Sequence, residues 1–293
     1  MASIGGLLIG AVVPSAEHLR QFALVSLFVQ TMIAVGGLAE ARSEFSLSWA
    51  VRMLMKHHLI HSLPLMVVGA VIGLDTWLGA GTFVLGAVPP AIALPSYAAA
   101  CGGHVRPVIQ FCILGYAVGV LLTPVLILGA LGTTGRVGSM VLTLLFGLVL
   151  PAMLGALGRP WLRRVPRGAS FTVVSISVLI LMLGMGSELR VAFTIGLGEP
   201  VLLWAAGVVA FGRCLWGAML GWAWARDGVL RVESALAGGC KNVVLAAVIA
   251  DGAVGTMAAL PALLGLFAEA GVLFAASVLS VRMQPPATEP GIW

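Results

Sequence analysis

Apolar stretches of about twenty residues recur along nearly the whole chain, separated by short clusters of charged residues, Pro and Gly. A helix of that length crosses a hydrocarbon core about 30 Å thick. The stretches leave no room for a separate soluble domain. The pattern predicts ten membrane-spanning helices, numbered here as spans 1 to 10, near residues 2–15, 21–38, 47–74, 76–102, 105–131, 136–157, 169–189, 199–224, 230–253 and 257–282.

The composition excludes a soluble fold. Hydrophobic residues make up 60% of the 293 residues and charged residues only 9%, against about 25% charged in an ordinary soluble domain. The net charge of +5 does not indicate nucleic acid, because the basic residues lie in short loops between apolar spans. We expect the lipid bilayer as a partner and no cofactor or metal. The four cysteines are predicted to be free thiols, namely Cys101, Cys112, Cys214 and Cys240.

The basic loop residues lie mainly on one side of the predicted bilayer. Eleven fall on that side, and only Arg20, Arg136 and Arg190 fall on the other. Because Lys and Arg accumulate in cytoplasmic loops, this asymmetry predicts that both termini are cytoplasmic. The first apolar stretch lacks a basic leader and is expected to be a retained helix. The short loops suit a multi-pass protein of a bacterial inner membrane.

The predicted spans divide into two equal groups. A cut near residue 133 leaves five spans before it and five after it. An odd number in each half means that related halves have opposite orientations, as in the inverted repeats of many secondary transporters. We therefore predict a first repeat over residues 1–133 and a second over residues 134–293, in an all-α membrane protein.

Span 4 and span 9, which correspond in the two halves, are both interrupted in sequence. In span 4, Pro89, Pro90 and Pro95 remove three amide donors within seven residues, so one undisturbed α-helix cannot pass through. In span 9, Gly238 and Gly239 lie near the middle. Broken helices are tolerated at membrane depth where they line a cavity or meet buried partners. The sequence thus predicts that helices 4 and 9 are broken at the functional site.

A lysine and an asparagine follow the glycines of span 9. A lysine at the bilayer centre costs roughly 2.5–3.5 kcal/mol on insertion scales, so Lys241 needs a partner, a wet cavity or a task. We expect it to face a polar interior and to take part in transport. The predicted substrate- and ion-binding residues are Lys241, Asn242, Cys240, Gly239, Gly238, Pro89, Pro90, Pro95 and Ser96.

Two further charged residues lie inside predicted spans. Arg213 is midway along span 8 and is either a second anion contact or a structural ion-pair partner, of which we favour the structural role. Glu269 lies within span 10 and is a candidate partner of Arg213 or of Lys241; the sequence does not choose between them.

A basic cluster lies early in span 3, before Pro64. We predict that Lys56, His57, His58 and His61 form an interfacial basic cluster. His57 and His61 are four residues apart and share a helix face, so a metal-binding pair is a less favoured alternative.

The two interrupted spans resemble the bile acid sodium symporter superfamily, and the resemblance extends to span number and order. The family's ninth span carries a pattern like E-x-G-x-Q-N-x-x-L-A. The segment from Ala237 to Ala246 keeps its Gly, Asn, Leu and Ala. In span 4, Pro89 and Gly103 match the family's Pro and a Gly fourteen residues later.

This chain departs from the family at residues that the resemblance implies bind sodium. Ala237 stands at the position of the Glu, Lys241 at that of the Gln, and Leu94 and Pro95 at those of a Ser-Asn pair. A tethered ammonium repels sodium, so we expect a sodium-independent relative in which Lys241 balances the negative ends of the unwound helices. Glu233, one turn before Ala237, replaces the lost ligand only if the register shifts.

The resemblance implies that a core of spans 3–5 and 8–10 moves against a panel of spans 1, 2, 6 and 7. It implies a small organic anion, carboxylate or bile-acid-like, as substrate, and proton coupling stays open. The alternatives are a sodium-coupled symporter with displaced ligands, a channel or non-transporting scaffold, and, least favoured, an intramembrane enzyme. The sequence shows neither HExxH nor paired intramembrane aspartates, so we expect no catalysis.

Overall fold

The structure is a computed structural model that describes residues 47–101, 103–132, 145–162, 200–225 and 231–283, with isolated residues at 25–33, 142, 164 and 173–194. Predicted span 1 and most of spans 2 and 7 lie outside the described residues. The helices are α1 (Leu47–Lys56), a π-helical turn (His57–Ser62), α2 (Leu63–Ile72), α3 (Trp77–Ala87), α4 (Leu94–Ala100), α5 (Val105–Leu131), a second π-helical turn (Leu145–Val149), α6 (Leu150–Leu157), α7 (Arg159–Leu162), α8 (Pro200–Ala223), α9 (Arg231–Gly239), α10 (Val243–Ala253), a 3-10 turn (Thr256–Ala259) and α11 (Leu260–Met283).

Within the described residues, four continuous helical segments are long enough and apolar enough to cross a membrane. They are Ser48–Ile72, Val105–Leu131, Pro200–Ala223 and Thr256–Val278. Shorter apolar helices, among them α3 and α10, accompany them, and no β-strand occurs within the described ranges. The chain is therefore an all-helical membrane protein in its described parts. The ten spans and the inverted repeat stay predictions.

Large apolar side chains cover the outer faces of these long helices. Val71, Leu121, Val201 and Trp204 each expose about three quarters or more of their surface. A soluble protein rarely exposes extended apolar patches of this kind, whereas lipid tails are a suitable neighbour for them. The exposed faces thus agree with the membrane assignment made from composition.

The helix boundaries follow the sequence pattern closely. Spans 3, 5 and 8 were predicted within about two residues of their observed ends. The predicted interruptions are confirmed, because α3 and α4 are separated by residues 88–93 and α9 and α10 by residues 240–242.

Span 3 contains an unpredicted π-helical turn that precedes Pro64. Proline has no N–H, and its ring clashes with the carbonyl four residues earlier in a regular α-helix. Widening the preceding turn to i→i+5 geometry relieves that clash. The same arrangement recurs in the other half of the chain, where the turn Leu145–Val149 precedes Pro151. The turn in span 3 carries three histidines, of which His57 and His61 are buried together with Ser62.

Helix α8 packs on α9 through glycines at direct backbone contact. A Cβ added at Gly217 would overlap the carbonyl oxygen of Gly238, and one at Gly221 would overlap that of Ser234. Small residues four apart allow such close approach between membrane helices. This contact fixes the carbonyl end of α9 against the middle of α8.

Gly217→Ala should destabilise the protein by about 1–3 kcal/mol, the usual effect of overpacking, because the added methyl has no space against Gly238. Gly212→Ala on the same helix is the matched control, since an added Cβ there meets nothing within 4 Å. Thermal unfolding of the purified variants measures both effects. Equal unfolding temperatures for the two variants would show that α8 and α9 do not pack this closely.

Candidate functional site

The two interrupted spans meet at their breaks. The Asn242 N–H donates to the Pro89 carbonyl oxygen at 3.1 Å, and Pro90 and Lys241 form an isolated antiparallel bridge. We call the segments 88–93 and 240–242, with the side chains that bind them, the crossover. It brings together two parts of the chain about 150 residues apart.

The Lys241 side chain lies at the carbonyl end of α3. Its ammonium donates to Ser62 Oγ at 2.6 Å, to the Gly86 carbonyl at 2.5 Å and to the Val88 carbonyl at 2.8 Å. All three N–H groups thus have acceptors, and the residue is completely buried. This position agrees with the expectation that the ammonium balances the negative end of an unwound helix. A cation is stabilised at a helix C-terminus, where unpaired carbonyls and the negative end of the dipole lie.

Neighbouring carbonyls of the span 4 break are paired with helix α5. Thr123 Oγ1 donates to the Ala87 carbonyl at 2.7 Å, and the Tyr116 hydroxyl donates to the Pro90 carbonyl at 2.8 Å. A buried backbone carbonyl without a partner is costly at membrane depth. The break is stable because side chains replace the donors that the prolines remove.

The prolines themselves fit against glycines of α5. A Cβ added at Gly115 would lie 2.8 Å from the Pro90 ring, and one at Gly119 would lie 2.8 Å from Pro89. Pro89 and Pro90 therefore contribute shape and the loss of donors, while their carbonyls contribute the polar contacts.

A second cation lies at the carbonyl end of α9. Arg213 Nη1 is 3.5 Å from the Gly239 carbonyl, which also accepts from Cys214 Sγ at 3.0 Å. Arg213 Nη2 forms an ion pair with Glu269 at 2.9 Å, and Glu269 also accepts the Lys241 backbone N–H at 2.8 Å. Glu269 thus binds the side chain of Arg213 and the backbone N–H of Lys241.

The buried charges at the crossover do not cancel. Lys241 and Arg213 supply two positive charges, and Glu269 supplies one negative charge, which leaves one positive charge net. The carbonyl ends of α3 and α9 compensate part of it. The site is therefore electrostatically suited to an additional anion.

The prediction of an interfacial basic cluster is wrong for two of its histidines. His57 and His61 are 1% and 2% exposed and lie at the crossover, because the π-helical turn directs them towards α8 and α9. His57 Nδ1 is 2.8 Å from the Ala237 carbonyl, and His61 Nε2 is 3.5 Å from Arg213 Nη1. Lys56 does lie further out, where its ammonium donates to the Trp224 carbonyl at 3.3 Å.

Other predicted site residues have structural positions at the crossover. Asn242 caps α10, its side-chain oxygen accepting the Leu245 N–H at 3.1 Å. Pro95 is the second residue of α4, a position that tolerates a missing N–H. Cys240 is buried. Ser96 is in α4, and its side chain lies outside the described residues.

Glu233 is not part of the crossover. Its carboxylate accepts the His104 backbone N–H and lies 3.1 Å from His104 Nδ1, at the start of α5. A Cβ at Gly103 would lie 2.8 Å from Glu233 Oε1, which explains the glycine at that position. The carboxylate stabilises the positive N-terminal end of α5 and does not replace the missing Glu at Ala237.

Several residues of the site were not singled out from sequence. Ser62, Tyr116 and Thr123 each contact the crossover through one hydroxyl. The sequence feature that could have pointed to Ser62 is its position between His61 and Pro64, because a proline there disturbs a long apolar span. Tyr116 and Thr123 flank Gly119 in an otherwise apolar helix, and nothing in their spacing points to the break in span 4.

No protein-family model matches the chain, and no curated protein matches it significantly. Among the described residues, no group of three or more His, Cys, Asp or Glu is placed to hold a metal ion.

Glu269→Gln should destabilise the protein by roughly 3–5 kcal/mol, because Arg213 is then a buried charge without its partner. Combining it with Arg213→Met removes both charges, so the double variant should be less destabilised than the sum of the two single variants. A double-mutant cycle on unfolding free energies measures this coupling. Strict additivity would contradict the buried ion pair.

Proposed function

We propose that the protein is a sodium-independent secondary transporter of a small organic anion, and a divergent relative of the bile acid sodium symporter superfamily. The observation that carries the proposal is the crossover itself, where two interrupted spans meet at membrane depth around a buried ammonium. Broken helices that meet near the midplane are the usual substrate and ion site of secondary transporters.

The contacts of Lys241 support independence from sodium. Its ammonium is surrounded by one hydroxyl and two carbonyl oxygens, the kind of neighbours that a small hard cation prefers. A positive charge covalently attached at this point repels a second cation. Lys241 therefore supplies the positive charge that compensates the carbonyl end of α3, in place of a bound sodium ion.

The charge balance supports an anionic substrate. One net positive charge in a site removed from water favours a carboxylate or a sulfonate over a cation or a neutral solute. In the described conformation all three N–H groups of Lys241 are engaged and Arg213 is paired with Glu269, so both residues attract the anion through their field. An alternative conformation that opens the crossover frees donors for direct contact.

Alternating access is the mechanism that we propose. Spans 3 and 5 and the broken span 4 are joined to span 9 through Lys241 and the hydroxyls of α5, and the Arg213–Glu269 ion pair joins spans 8 and 10. We propose that this core of spans 3–5 and 8–10 moves against a panel of spans 1, 2, 6 and 7. A multi-pass topology with cytoplasmic termini in a bacterial inner membrane belongs to the same proposal.

The purified protein should be stabilised by at least one small organic anion. A ligand that binds only the folded state adds about 2.7 kcal/mol to its stability at a hundredfold excess over Kd. Thermal unfolding with taurocholate, succinate, pyruvate and benzoate measures this effect. We expect it to weaken in Lys241→Gln, which removes the net positive charge, and to persist in Arg52→Gln, which removes an exposed charge from span 3.

Counterflow in proteoliposomes then separates a carrier from a channel. A carrier preloaded with the stabilising anion accumulates labelled anion transiently, whereas a channel only equilibrates it. Absence of stabilisation by every anion of the panel, or equal losses in Lys241→Gln and Arg52→Gln, would contradict an anion site at the crossover.

A further inference from the structure

A coupling proton, if the transporter uses one, needs a group that can change its charge. This inference rests on the proposed function. Arg213 does not deprotonate in proteins, and Glu269 is held by two donors. Lys241 uses all three of its N–H groups, so the loss of a proton would break one of the hydrogen bonds that its side chain donates to Ser62, Gly86 and Val88. The histidines of the π-helical turn are the remaining titratable groups here.

The hydrogen bond of His57 fixes its tautomer. The Ala237 carbonyl can only accept, so Nδ1 of His57 carries the proton and donates it at 2.8 Å. In the neutral ring Nε2 is then an unprotonated acceptor. That atom is buried and has no hydrogen-bond partner within the described structure. A proton that adds to this nitrogen would therefore break no existing hydrogen bond.

His61 contacts a hydrogen-bond donor, whereas His57 contacts an acceptor. The guanidinium of Arg213 can only donate, so the neighbouring Nε2 of His61, 3.5 Å from Nη1, presents its lone pair to it. A second proton on His61 would point directly at the guanidinium. The rings of His57 and His61 are 5.3 Å apart. The unprotonated nitrogen of His61 faces the Arg213 guanidinium, whereas that of His57 contacts no cation among the described residues.

A path towards water begins at His57. The residue lines a small cleft between span 3 and helices α8 and α9, together with Met53, Lys56 and Trp224. Lys56 is partly exposed at the outer part of this cleft. This cleft lies on the Lys56 side of His57, so a proton that enters through it would not pass through the crossover.

We propose that His57 is the proton-binding residue of the crossover and that it takes up its proton together with the anion. The proton comes from water at the cleft and adds to Nε2, while Nδ1 keeps its bond to Ala237. The resulting imidazolium is supported by the carbonyl end of α9, which is the negative end of that helix.

The charges around His57 couple its protonation to the binding of the anion. His57 faces His58 and His61 on its own helix, Arg213 on α8 and Lys241 at the crossover, whereas α5 offers only the uncharged ring of Phe111 at 5.6 Å. The buried carboxylates of the neighbouring helices are Glu269, already paired with Arg213, and Glu233, which accepts from His104. Protonation raises the net charge at the site from one to two, so an incoming anion favours it. By linkage, the proton favours the anion to the same extent.

Nitrogen NMR of protein labelled with 15N in its five histidines tests the proposal in lipid nanodiscs. His57→Gln and His61→Gln assign the two buried imidazoles, and His58→Gln is the control. Without an anion, we expect His57 to bind a proton at a higher pH than His61. Taurocholate or succinate, whichever stabilises the protein, should increase the proton affinity of His57 by roughly 5- to 150-fold, the usual range of site coupling.

The outcomes separate this inference from the proposed function. Protonation of His61 before His57, or no protonation of either before the protein unfolds, overturns the role of His57 whether or not an anion binds. Anion binding that leaves the proton affinity of His57 unchanged overturns the coupling and leaves an anion transporter. If no anion binds, the proposed function fails, while the order of protonation still decides whether His57 is the proton site.

Discussion

The ammonium of Lys241 is the contact on which the arrangement of this protein depends. It joins three segments, because its acceptors are the Ser62 hydroxyl in span 3 and the carbonyls of Gly86 and Val88 at the end of α3, while its own backbone belongs to the break in span 9. A charge that is completely buried at membrane depth is unfavourable unless each of its donors is used. Here each donor is used, and the side chain reinforces the backbone hydrogen bond between Asn242 and Pro89 that joins the two interrupted spans.

The constraint behind this link is that a membrane offers no water to backbone groups released by a broken helix. Around the break in span 4, the carbonyls from Gly86 to Pro90 are bound in turn by Lys241, Thr123, Lys241, Asn242 and Tyr116. At the break in span 9, Arg213 and Cys214 serve the Gly239 carbonyl and His57 serves that of Ala237. A basic side chain thus lies at the carbonyl end of the first half-helix in both spans. Three of the four buried Lys, Arg and Glu side chains in the described part of the chain, Lys241, Arg213 and Glu269, lie where the helices are broken.

The interruptions and the long spans could be predicted because local chemistry determines them. Prolines remove donors wherever they occur, and the apolar stretch from Val105 to Leu131 has membrane length whatever its neighbours are. The partners at the crossover could not be predicted, because they depend on tertiary contacts between distant segments. Glu269 could be assigned to neither Arg213 nor Lys241 from sequence, and the structure shows that one carboxylate serves both. His57 and His61 were placed at the interface because adjacent charges usually lie there; the π-helical turn before Pro64 rotates them inward instead.

The central claim is that the chain itself supplies, through Lys241, the positive charge that its crossover requires. The most direct test is the unfolding temperature of the wild-type protein, without substrate, as sodium chloride replaces choline chloride at constant ionic strength. Our account predicts the same unfolding temperature at every ratio of the two salts, because the ammonium already occupies the oxygen atoms at the end of α3. A rise that saturates with sodium and is absent with choline would show that the crossover binds sodium and would contradict the account.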